Sequence, residues 1–131
     1  MDISKLNYLA IVIAATSSFI IGGLWYSVLF ANKWQKLSGV TNDQLKQGTA
    51  KIFIGSFVLS LIMSLNLAAF IGDGGVSFGL FAGLAVGLGW VATAFGINYL
   101  FERKPIQLFF INASYSVVAF TLMGLIIGVM Q

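Results

Sequence analysis

Charged residues stand at so few points in this chain that they cut it into four long uncharged runs, residues 6–32, 52–72, 74–101 and 105–131. Each run is at least as long as the roughly 20 residues with which an α-helix crosses the hydrocarbon of a bilayer. Lipid offers a backbone no water to bond to. A spanning segment must therefore satisfy its own amides, which a helix does and an open strand does not. Composition agrees, since 8% of the 131 residues are charged and 59% are hydrophobic, against about 25% charged in a soluble domain. The expected fold is all-α: a polytopic membrane protein, a single domain over 1–131, forming a compact bundle of four transmembrane helices. The spans are expected at about 7–30, 52–72, 78–101 and 106–130. The first run, with Lys5 before it and Ala14 and Ala15 within it, has some features of a signal peptide. Its unbroken length to Asn32 favours a span.

With no Cys and no His, thiol nucleophiles, disulfides, the usual zinc sites and imidazole acid–base catalysis are excluded. The net charge of +3 is too small and too confined to segment ends for a nucleic-acid track. No nucleophile with its base, metal cluster or phosphate loop is present, so no catalytic residue and no cofactor is assigned.

Lys and Arg in short loops are retained in the cytoplasm. The first loop holds Lys33, Lys36, Lys46 and Lys51 and the third holds Arg103 and Lys104, while the opposite side has Lys5 alone. Loops one and three are therefore expected in the cytoplasm, with both termini and the Gly-rich turn Asp73-Gly74-Gly75-Val76-Ser77 outside. Lys33, Lys36, Arg103 and Lys104 are candidate contacts for anionic lipid headgroups.

Residues 31–51 carry signals of their own. Thr41 precedes Gln44 by a capping-box spacing, with Asp43 in the first turn, which predicts that the second helix begins near Asn42 as a short cytoplasmic extension. Trp34 and Leu37 lie three apart beside Lys33 and Lys36, a pattern that suits either a stretch resting on the headgroups or a solvated connector.

Small residues recur at every fourth position within the spans: Ala10, Ala14, Ser18 and Gly22; Ser56, Ser60, Ser64, Ala68 and Gly72; Gly79, Gly83 and Gly87; Gly124 and Gly128. Such stripes let helices approach closely where no hydrophobic effect drives them together. Packing explains them more simply than a pore does. Four striped helices also offer more packing faces than one bundle needs, so a homo-oligomer is expected. No carboxylate or base lies deep in any span, although ion-coupled carriers usually need one there. Asn98 and Asn112 lie seven residues either side of Pro105 and so at similar depth. An interhelical hydrogen bond between them is the favoured reading. With Tyr115, Trp25 and Tyr26 at the same level, they are the candidate polar pocket.

Several strings are distinctive: Asn7-Tyr8-Leu9-Ala10, Gly22-Gly23-Leu24-Trp25-Tyr26-Ser27, Trp34 with Gly39-Val40-Thr41, Asn98-Tyr99-Leu100-Phe101-Glu102, and Ile111-Asn112-Ala113-Ser114-Tyr115 followed by Met123-Gly124. Together they resemble the bacterial membrane family DUF1761 over nearly the whole chain. The resemblance implies a small four-helix protein of the bacterial inner membrane and no particular activity. Where that family's pattern often has a His after the Tyr of the fourth helix, this chain has Ser116, which speaks against any imidazole-dependent role. The expected function is that of a structural, assembly or lipid-associated membrane subunit, not an enzyme. An oligomeric channel or carrier for a small solute is the alternative.

Overall fold

The structure is a computed structural model that describes residues 3–131. After a 3₁₀ turn at Ile3–Lys5, helix α1 runs Tyr8–Leu29. Asn7 caps it, its Oδ1 accepting from the Ala10 amide at 3.1 Å. The last five residues, Trp25–Leu29, are π-helical. Then follow α2 (Ala31–Ser38), the single turn α3 (Asn42–Leu45) and α4 (Thr49–Ile71). Helix α5 covers Gly75–Glu102, with a π-helical stretch at Gly87–Ala92, and α6 covers Ile106–Met130. Helices α1, α4, α5 and α6 are long and apolar enough to cross a membrane, and no strand occurs among the described residues. The chain is a multi-pass, all-α membrane protein.

The capping box at Thr41 forms as its spacing predicts: Thr41 Oγ1 accepts from the Gln44 amide at 3.1 Å, and Gln44 Oε1 accepts from the Thr41 amide at 2.8 Å. What it starts is α3 alone. Gly48, with φ +63° in the left-handed region, separates that turn from α4, a conformation glycine adopts without steric cost. The helix that carries the second span therefore begins at Thr49 and not near Asn42. Residues 41–51 are exposed throughout. Helix α2 instead packs on the end of α1 and on α6, so its apolar side is taken up by the protein itself.

Helix α6 is the hub. It packs against α5, α1 and α4 and is the most buried of the four spans. Against α5 the approach is backbone to backbone. A Cβ on Gly128 would lie 2.7 Å from the Gly75 carbonyl oxygen, one on Gly87 3.0 Å from that of Ser116, and Gly79 and Gly124 face each other's carbonyls more closely still. On the other side Ala10, Ala14 and Ser18 of α1 and Ser60, Ser64 and Ala68 of α4 are buried. The Ser64 hydroxyl donates to the Ile11 carbonyl at 2.8 Å. These small-residue faces close around Ile11, Leu67, Ile71, Phe120, Met123 and Ile127. Apart from Ser56, which is exposed, the stripes are thus occupied within one chain. Leu9, Ile20, Ile54 and Phe81 lie exposed on the outer faces, as side chains solvated by acyl chains do.

The end of the bundle away from α2 is tied by amides. Asn7 Nδ2 donates to the Met130 carbonyl at 2.8 Å, and Gln131 Nε2 donates to the Gly72 carbonyl at 2.6 Å. These bonds join the start of α1 and the ends of α4 and α6 where helix carbonyls lack partners of their own.

Candidate functional site

Polar and aromatic side chains gather at the end of the bundle that carries α2. Trp25, at the start of the π-helical turn, donates its indole N–H to the Ile111 carbonyl at 3.0 Å and lies 3.3 Å from Ser114 Oγ. One residue on, the Tyr26 hydroxyl donates to Asn112 Oδ1 at 2.6 Å, and Asn112 Nδ2 donates to the Tyr99 hydroxyl at 2.6 Å. A single amide therefore uses its acceptor toward α1 and its donor toward α5, linking three helices. Tyr115 completes the group: its hydroxyl donates to the Ser18 carbonyl and lies beside Ser18 Oγ, both at 3.2 Å. The Tyr26 ring sits between those of Tyr115 and Trp34, with centroids 5.4 and 5.6 Å away in edge-to-face geometry. That arrangement suits the quadrupoles of aromatic rings.

Trp25, Tyr26, Asn112 and Tyr115 are thus brought together, as their common depth leads one to expect, while Asn98 is not. It is exposed, and its side chain makes no hydrogen bond among the described residues; Tyr99 takes its place as the partner of Asn112. The phase of α5 accounts for this. Three regular turns beyond Gly87, about 11 residues, the inward face would arrive at Asn98. The π-helical stretch Gly87–Ala92 inserts extra residues and shifts the phase of everything after it, so the next residue, Tyr99, turns inward. Asn66, on α4, is also exposed and bonds back to the Ile62 carbonyl of its own helix at 2.8 Å. The bond of Tyr99 to Asn112 and the contact of Trp34 with Tyr26 are the parts that sequence reasoning missed. A π-helix leaves no composition signal to find.

Lys33 and Lys36 are exposed on α2, and Arg103 and Lys104 on the turn between α5 and α6. None of the four makes an ion pair among the described residues. Arg103 closes that turn in the left-handed region, φ +56°, and its Nη1 donates to the Phe101 carbonyl at 2.9 Å.

Chemically, the cluster is a set of hydrogen bonds between neutral groups. Asn112 accepts from Tyr26 but cannot take its proton, so neither phenol has a base beside it. Among the described residues no three acidic side chains gather where they could hold a metal ion.

No curated protein and no solved structure matches the chain. The model of the family described as "Protein of unknown function (DUF1761)" matches residues 9–128, nearly the whole length and all four spans, and the chain belongs to that family.

Proposed function

We propose that this protein is a non-catalytic structural or assembly component of a bacterial inner membrane, with its α2 end in the cytoplasm against anionic headgroups and both termini on the periplasmic side. The observation that carries the reading is the manner in which polar side chains of the spans are used. Tyr26, Asn112 and Tyr99 bond to one another across three helices, and Tyr115 and Trp25 bond to neighbouring helices. Groups that lined a wet path would instead be left to water. The asymmetry of the basic residues supports the orientation and the headgroup contact. Reconstitution of the purified chain into vesicles tests the first part. Release of small ions and of a small neutral solute should match that of empty vesicles, and flux well above that level would favour the channel instead.

The proposal extends to a homo-oligomer, on grounds other than the stripes. Trp90 is 76% exposed near the middle of α5, although Trp favours the membrane interface. Eight residues on, past exposed Ala94, stands the unpartnered Asn98 amide. A second copy on this face would cover both. Crosslinking through a cysteine at Ala94 in native-like lipid should trap a dimer, and a chain that remains monomeric there would refute it.

A further inference from the structure

Helix α2 has two unlike sides. Trp34, Gln35 and Leu37 are half-buried toward the protein, whereas Asn32, Lys33 and Lys36 are exposed. At 3.6 residues per turn the last three fall on one face. The inner side packs on the bundle through Trp34, whose ring centroid lies 5.6 Å from that of Tyr26; Phe30, just before the helix, packs on Trp25 at 5.5 Å, and Gln35 Nε2 donates to Asn42 Oδ1 of the exposed turn α3 at 2.7 Å. Only Phe30 separates α2 from the end of the first span, so the helix lies at headgroup depth. Tyr26 itself is bonded to Asn112, and through it to Tyr99. Helix α2 therefore packs on two spans, α1 and α6, at a tyrosine that is itself bonded into the bundle.

We infer that the outer face of α2 is a preorganised site for the phosphate of an anionic phospholipid, with Lys33 and Lys36 supplying the charge, Asn32 a neutral donor and Trp34 the anchor. The inference rests on the headgroup contact proposed above and narrows it to one element. Two cations without ion pairs, on a helix packed against the bundle through Trp34, complement the fixed negative charge of a phosphodiester. Binding then orders little that is not already ordered. The other basic pair is less suited. Arg103 spends one guanidinium donor on the Phe101 carbonyl, and its left-handed backbone sits on an exposed turn, not on a helix face.

Native mass spectrometry of the full chain, titrated in detergent with phosphatidylglycerol and with phosphatidylcholine, tests this. The parent should prefer phosphatidylglycerol, and Lys33→Gln with Lys36→Gln should reduce that preference by about fivefold per lysine, roughly 25-fold for the pair. Arg103→Gln with Lys104→Gln should leave it within about threefold of the parent. Trp34→Ala, which keeps both charges and frees the helix, should also weaken it. A parent with no preference would overturn the headgroup contact altogether. A preference that survives loss of Lys33 and Lys36, or falls as far on loss of Arg103 and Lys104, would overturn the assignment to α2 and leave the broader contact standing.

Discussion

Gly83 is the position where one methyl group should do most damage. Its Cβ would press on the Phe120 carbonyl oxygen and lie 2.9 Å from the carbonyl carbon and 3.0 Å from Thr121 Cα. Carbon atoms in contact rest at about 3.5–4.0 Å, so α5 and α6 would have to part by roughly 0.5–1 Å, and such a gap forfeits a quarter to a half of each dispersion well along it. Every obstructing atom is backbone, which cannot rotate aside. The expected cost of overpacking lies at the upper end of about 1–3 kcal/mol. Alanine is the better helix former by about 1 kcal/mol, so the net loss for Gly83→Ala should be about 2 kcal/mol. Gly89 is the control, because a Cβ there meets nothing within 4 Å. Gly89→Ala should be neutral or stabilising by up to about 1 kcal/mol, leaving roughly 2–3 kcal/mol between two identical changes six residues apart in one helix. Reversible unfolding in bicelles, read as a free energy for each variant, measures the difference. If Gly83→Ala proves as stable as Gly89→Ala, backbone contact between α5 and α6 is not what holds the bundle.

Asn112→Leu removes the bonds to both Tyr26 and Tyr99 and should cost about 1–3 kcal/mol by the same assay, at roughly 0.6–1.7 kcal/mol for each interhelical bond in a membrane. Asn98→Leu, on the exposed face, should stay within about 0.5 kcal/mol of the parent in the monomer, and equal effects would contradict the Asn112–Tyr99 pairing. Thr121 Oγ1 is buried without a hydrogen-bond partner. Thr121→Val keeps the shape and should raise stability by about 1 kcal/mol; a loss of that size would mean that the hydroxyl has a partner after all.

The spans and stripes are legible in the sequence because they rest on local properties. Charge-free length sets a helix crossing, and a small residue every fourth position sets a face; Gly79, Gly83, Gly124 and Gly128 lie where that rule puts them. The partner of Asn112 is not local. It depends on the phase of α5, which a π-helical stretch between Gly87 and Ala92 alters without any residue type that announces it. The same limit applies to α2. Trp34 beside two lysines reads as amphipathic whatever covers its apolar side, and only the tertiary fold shows that Tyr26 covers it. At Thr41 the cap is legible, but Gly48 decides how far the helix it starts can run.

The chain has no cysteine, so single-cysteine labelling reports on one position at a time, and it reaches the membrane placement on which the other proposals depend. In intact cells an impermeant maleimide should label Ser77→Cys in the Gly-rich turn. It should leave Ser38→Cys and Lys104→Cys unlabelled until the inner membrane is opened, as six basic residues against one require. Labelling of Ser38→Cys from outside, with Ser77→Cys protected, would reverse the bundle in the membrane and place the basic face of α2 on the wrong side for the headgroups proposed here.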